Sequence, residues 1–104
     1  MLFRSTEVLP SPCLLALVER AAVEGLSGRL GEGKTSVGAS VELQHVAPTP
    51  VGAPLLVRVK LVSIDGPSID FDVEASDRRG MVARGQHRRV AVDRESFLAS
   101  ARER

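Results

Sequence analysis

The stretch PCLLALVERAAVEGL at residues 12–26 predicts the element around which the rest of the chain folds. Its apolar residues recur three and four positions apart, which is the spacing of one face of an α-helix. Ser11 suits the N-cap, and Pro12 suits the first helical position, where its missing N–H costs nothing. Only Arg20 and Glu24 form a polar edge. A helix this apolar must be covered on most sides, as a wrapping sheet would do.

Beyond a Gly-rich loop at residues 27–34, the hydrophobic period changes from helical to two, which is typical of β-strands. Asp93 is a candidate cap for a short C-terminal helix that carries Phe97 and Leu98. One long helix followed by a meander of antiparallel strands predicts an α+β fold, with residues 1–104 as a single domain. We predict four strands, near residues 37–44, 55–64, 69–75 and 81–92, and a brief strand near residues 2–8.

The composition argues against several classes of protein. A net charge of +1 gives no strong attraction to nucleic acid or to an anionic membrane. Cys13 is the only cysteine, so the chain has no intrachain disulfide and no multi-cysteine metal site. Arg4 comes too early for a signal peptide, and the longest apolar run, residues 13–18, is too short to cross a membrane. We therefore expect a cytoplasmic protein with neither nucleic-acid nor membrane partners.

Residues 28–35, GRLGEGKT, match the phosphate-binding pattern GxxxxGK[ST]. That pattern binds phosphate when a strand leads into the loop and a helix leaves it, because the helix then points its N-terminal amides at the phosphate. Here a predicted helix precedes the loop and a predicted strand follows it. We interpret the match as a coincidence in a Gly-rich turn, and a nucleotide-binding function ranks last.

Two residues stand out as candidates for chemistry. Glu19 falls beside Leu15 on the helical wheel, and a carboxylate on an apolar stripe costs free energy unless it has a partner. His45 ends the first strand and continues its odd-numbered face, which we expect to lie against the helix within reach of Glu19. Each also has a structural interpretation: Glu19 at the margin of the sheet reaching water, and His45 bonded to backbone. His87 and Arg89 share one face of the last strand, where most such arginines are solvated.

Four features occur in a recognisable order and spacing: Glu19 on the apolar helix, SVGA at 36–39, HVAPTPVG at 45–52 and GQHRRV at 85–90. Together they resemble the fluoroacetyl-CoA thioesterase family, and the resemblance extends over about residues 11–97. The most specific piece is the pattern H-x-A-x-T-P-x-G. The resemblance implies a hot-dog fold, in which an antiparallel sheet wraps one long central helix, and a homodimer, or a tetramer, with composite sites at the dimer interface.

The resemblance implies that Glu19 and His45 are catalytic, with Ser11 at the position of the family's catalytic threonine. It places Gly38 and Arg89 at positions that contact the substrate. The implied activity is hydrolysis of an acyl-CoA or acyl-carrier thioester, with Glu19 as nucleophile or general base and His45 as its proton-transfer partner. It implies no metal and no organic cofactor. The alternatives are a non-catalytic hot-dog module that binds acyl-CoA and, ranked lower, a hot-dog hydratase or dehydratase.

Overall fold

The computed structural model describes residues 8–103. The four predicted strands and both predicted helices are present. Of the predicted strand near residues 2–8, only Val8 lies among the described residues, and it forms a single antiparallel bridge with Pro50. The elements are α1 (Ser11–Leu26), β1 (Lys34–His45), β2 (Leu56–Asp65), β3 (Ser68–Asp77), β4 (Gly80–Asp93) and α2 (Arg94–Arg102).

Helix α1 begins one residue earlier than predicted. The carbonyl of Pro10 accepts the first helical bonds, from the N–H groups of Cys13 (3.1 Å) and Leu14 (3.2 Å), so Pro10 is the N-cap. Ser11 is the first helical residue, and Pro12 is the second. The prediction of Ser11 as N-cap is therefore wrong, because its hydroxyl is bonded elsewhere, to a strand side chain described below.

The C-terminal cap prediction is confirmed. Asp93 precedes α2, and its Oδ2 accepts a hydrogen bond from the N–H of Ser96 at 3.0 Å. This bond to a helix N-terminus holds the pKa of Asp93 below its usual value, since it stabilises the charged carboxylate.

The sheet is antiparallel, with strand order β1-β4-β3-β2. Strands β2, β3 and β4 form the predicted meander. Strand β1 does not pair with β2, as a full meander would require, but with β4. The reason lies in the ten-residue link 46–55, which contains three prolines and is too long for a tight hairpin. It carries the chain from one edge of the sheet to the other.

One stripe of α1 packs on the sheet. Leu14, Val18 and Ala22, spaced four residues apart, are fully buried. Against them lie the alternate residues of β3. The sheet covers α1 less completely than we predicted, because Leu17 and Val23 remain 37% and 48% exposed. The buried β3 residues are Ile69, Phe71, Val73 and Ala75.

Strand β1 contains a β-bulge that decides which of its side chains face α1. Gly38 pairs with Arg89 and Ser40 with Arg88, so Ala39 is an extra residue without a partner. Because alternate residues face opposite sides of a sheet, the extra residue exchanges the two faces of the strand. The predicted continuous odd-numbered face is therefore wrong before Ala39: Gly38, not Val37, shares the face of the buried Arg89.

The Gly-rich loop at residues 27–33 connects the end of α1 to Lys34, the first residue of β1. A helix thus enters the loop and a strand leaves it, the reverse of the order that phosphate binding requires. This order confirms the context on which we rejected the motif. Among the described residues, no helix is both long and apolar enough to cross a membrane.

Gly85 tests how closely β1 and β4 approach. A Cβ atom at Gly85 would overlap the carbonyl oxygen of Glu42 and lie 2.9 Å from the Cα of Leu43. We expect Gly85→Ala to lower the free energy of unfolding by about 1–3 kcal/mol through this backbone clash, measured by chemical denaturation. The matched control is Gly25→Ala in α1, whose Cβ would lie 3.7 Å from Val59 Cγ2 and which should stabilise by about 0.5 kcal/mol. A Gly85→Ala variant as stable as the parent would contradict the register.

Candidate active site

The start of α1 and the end of β1 bring Ser11 and His45 together. The Ser11 hydroxyl and His45 Nδ1 are 2.9 Å apart and hydrogen-bonded. The other ring nitrogen, Nε2, is buried, and no hydrogen-bond partner is present for it within the described part of the chain. An imidazole is suited to proton transfer when one of its nitrogen atoms is hydrogen-bonded to a hydroxyl and the other is available to a substrate.

Backbone hydrogen bonds fix this pair from both sides. After His45, the N–H groups of Val46 and Ala47 both donate to the carbonyl of Val82, at 2.8 and 3.1 Å. Just before α1, the N–H of Leu9 donates to the carbonyl of Thr49 at 2.8 Å. The segment after His45 is thus hydrogen-bonded both to β4 and to the residues that precede Ser11. These bonds fix the positions of the two side chains relative to each other.

A second group of side chains converges on Gly38. A Cβ atom at this position would lie 3.5 Å from Glu19 Oε2, 3.6 Å from Arg89 Nη1 and 3.6 Å from His87 Cε1. The absence of a side chain at Gly38 therefore leaves a space bounded by a carboxylate, a guanidinium and an imidazole. An acyl group or its carbonyl could approach the backbone there, as glycine permits.

Arg89 is the buried cation of this group, with 6% of its surface exposed. Its Nε donates to Ser36 Oγ at 2.8 Å, and its Nη2 donates to the Ser36 carbonyl at 2.9 Å. Burial lowers the pKa of Arg89, and the nearby Glu19 carboxylate opposes that effect. The guanidinium remains charged, since arginine does not deprotonate in proteins. A buried charge next to Gly38 is suited to binding a polar group of a substrate.

The neighbouring Arg88 differs from Arg89 in its environment, since it lies on the outer, solvent-exposed face of the sheet. Its Nε and Nη2 donate to the two carboxylate oxygens of Asp70, at 2.7 and 3.0 Å, on the outer face of the sheet. The hydrogen bonds from Arg88 hold the pKa of Asp70 below its usual value. The interpretation of a solvated arginine thus fits Arg88 and not Arg89.

The five predicted site residues form two separate groups rather than one. Ser11 and His45 make the first, and Glu19, Gly38 and Arg89 make the second. Ser11 and Glu19 are eight residues apart on α1, a rise of about 12 Å. Gly38 and His45 lie roughly 20 Å apart along β1. The expected contact between Glu19 and His45 is not observed, and no hydrogen bond joins the two within residues 8–103.

Two members of the second group had no predicted role. Ser36 supplies both a hydroxyl and a carbonyl to Arg89, and His87 lies against the guanidinium. His87 shares a strand face with Arg89 in the sequence pattern, which was the available signal. Ser36 gave none, because the bulge at Ala39 that turns it toward Arg89 cannot be seen in the alternation of residues.

Comparison with known proteins agrees with this architecture. The family model of fluoroacetyl-CoA-specific thioesterases matches residues 3–95. The fluoroacetyl-CoA thioesterase of Streptantibioticus cattleyicolor is 30% identical over 98 residues, which cover 94% of this chain and 70% of that protein. A crystal structure of the fluoroacetyl-CoA thioesterase FlK matches with a TM-score of 0.90 at 29% identity, over 95% of this chain and 73% of that one. A hot-dog-like protein from Thermanaerovibrio acidaminovorans gives 0.89 at 29%, over 93% and 72%.

These likenesses confirm the hot-dog fold and define the protein as a thioesterase of that fold. The chain belongs to the fluoroacetyl-CoA-specific thioesterase family. The predicted resemblance to this family is thereby confirmed.

Gly38→Ala tests whether the space beside Glu19 is used. The new Cβ would make ordinary van der Waals contacts of 3.5–3.6 Å, so we expect a folded protein of nearly unchanged stability. We expect kcat/KM for thioester hydrolysis to fall about tenfold or more, because the methyl group occupies the space where a substrate would lie. Steady-state kinetics and thermal unfolding measure the two effects. Unchanged kinetics in a folded Gly38→Ala protein would show that substrate does not approach this position.

Proposed function

We propose that this protein hydrolyses acyl-CoA thioesters, with Glu19, His45 and Ser11 as catalytic residues and Gly38 and Arg89 as substrate-binding residues. The observation that carries the proposal is that the Glu19 carboxylate and the Arg89 guanidinium converge on Gly38, which has no side chain of its own. The acyl-CoA substrate class rests on relatives: one is a fluoroacetyl-CoA thioesterase, and a structure of FlK contains fluoroacetate and CoA.

The proposed reaction divides the work between the two groups of residues. Glu19 takes a proton from water as the water oxygen adds to the thioester carbonyl carbon. The carbon–sulfur bond then breaks, and His45 Nε2 gives a proton to the leaving sulfur. The proton that Glu19 took from water then passes to His45, which restores both groups. Ser11 fixes the orientation of the imidazole through its 2.9 Å bond to Nδ1. Arg89 binds a polar group of the substrate.

One chain does not bring the two groups to the same thioester. The tip of Glu19 lies close to Gly38, which is roughly 20 Å from His45 along β1. A single proton transfer requires hydrogen-bond distances, directly or through one water. We propose that two copies form a homodimer in which the Ser11–His45 pair of one subunit faces the Glu19 group of the other.

The surface of the chain supports this homodimer. Leu17 and Val23 leave an apolar strip of α1 exposed, at 37% and 48%. Among residues 8–103, β1 and β2 are the outer strands of the sheet, and an edge strand offers backbone groups to a second copy. A closed two-fold dimer covers such surfaces on both subunits at once. Sedimentation equilibrium at micromolar protein concentration measures the oligomeric state directly.

Glu19→Gln and His45→Ala test the catalytic assignment. Glu19→Gln keeps the shape of the side chain and removes its charge, so hydrolysis of the best acyl-CoA should fall about 10²-fold or more. His45→Ala should cost a similar factor, and the double variant little more, because groups that serve one step are not additive.

A matched control is Lys34→Ala, at the start of β1, which should leave hydrolysis unchanged. Near-normal turnover by a well-folded Glu19→Gln protein would overturn the assignment. Tight acyl-CoA binding without turnover in the unmodified protein would instead indicate a binding module.

A further inference from the structure

Within residues 8–103, His87 is the most deeply buried titratable group that the proposed reaction leaves unused. It lies on β4 between Val41 of β1 and Phe71 of β3, with 2% of its surface exposed. Burial removes the hydrogen bonds that the two ring nitrogen atoms would make to water, so each nitrogen needs a partner in the protein. Both partners are present, and they differ in kind.

Nδ1 of His87 is 2.9 Å from the carbonyl oxygen of Ser40, and Nε2 is 3.3 Å from Nη1 of Arg89. A carbonyl can only accept, so Nδ1 must carry the hydrogen. A guanidinium can only donate, so Nε2 must present its lone pair. The two partners together require the neutral imidazole with its hydrogen on Nδ1. An imidazolium would direct an N–H at Arg89 and place two positive charges side by side.

Ser40 directly follows the extra residue Ala39 in β1. Through His87, the backbone of this bulge is therefore linked to the Arg89 guanidinium. Ser36 holds Arg89 from the other side of the bulge, through Nε and Nη2. All three nitrogen atoms of the guanidinium thus have partners: Ser36 binds two of them, and His87 binds the third. In this orientation Nη1 lies beside the space at Gly38.

We propose that His87 is a positioning residue, a neutral imidazole that orients the Arg89 guanidinium toward the substrate space at Gly38. The inference rests on the proposed function, in which Arg89 binds the substrate. His87 borders that space only through its Cε1 atom, while both of its nitrogen atoms are bonded to other groups, Nδ1 to the Ser40 carbonyl and Nε2 to Arg89. Its polar atoms therefore act on the substrate through Arg89. Its loss weakens binding of ground state and transition state alike, which raises KM and leaves kcat nearly unchanged.

The tautomer is measured without reference to activity. The chain has two histidines, so long-range ¹H–¹⁵N correlation spectra show two imidazoles, and His45→Ala assigns them. At the pH of the assay, the expected pattern for His87 is a protonated Nδ1 and an unprotonated Nε2. Hydrogen on Nε2, or on both nitrogens, would overturn the proposal even if Glu19→Gln had already confirmed the function.

Two substitutions separate positioning from packing. In His87→Gln the amide oxygen reaches the place of Nε2 and can still accept from Arg89. In His87→Asn the shorter amide reaches only the place of Nδ1. We expect His87→Asn to raise KM about tenfold or more, the scale of a lost hydrogen bond to a charged group, with kcat nearly unchanged. His87→Gln should restore KM to within about threefold of the parent.

Gln86→Asn, on the outer face of the same strand, is the control and should leave both constants unchanged. Equal KM values for the two His87 variants, or a loss confined to kcat, would contradict the proposal. Should either variant fail to fold, the spectra of the unmodified protein still decide.

Discussion

The bulge at Ala39 in β1 is the constraint on which the arrangement of the site depends. Without the extra residue, Gly38 and Ser36 would face away from α1 if Val41, Leu43 and His45 faced toward it. With it, the strand presents inward residues on both sides of the bulge. One strand can therefore contribute to both groups of site residues, the pair at its end and the group near its start.

The second requirement is compensation for a buried positive charge. Transfer of an unpaired charge into a protein interior costs several kcal/mol, so a buried arginine needs partners for its donors. Arg89 finds them in Ser36 and His87, and the Glu19 carboxylate lies close enough to favour the charge. The packed stripe of Leu14, Val18 and Ala22 holds α1 against the sheet and fixes where Glu19 meets this cation. The core and the site are thus set by one helix–sheet contact.

Local patterns predicted the helices, the strands and the Asp93 cap, because each depends on neighbours in sequence. The order of the strands was only partly predicted, since alternation shows that β1 is a strand and not which strand it pairs with. The family resemblance supplied Gly38, for which the residues alone gave no reason. Alternation could not show the extra residue Ala39, so it placed Val37 on the wrong face. Local sequence predicts Ser11 as an N-cap because it cannot reveal the true partner of the hydroxyl, His45, which is 34 residues away.

Subunit mixing tests the central claim most directly, namely that two groups on different subunits serve one thioester. Glu19→Gln and His45→Ala chains carrying different affinity tags are co-expressed, and mixed dimers are isolated by tandem purification. Each mixed dimer then holds one site with both residues intact and one site with neither. The account predicts about half of the parent activity per dimer, far above that of either variant alone. Mixed dimers as inactive as the two variants would contradict it, because Glu19 and His45 would then have to act within the same chain.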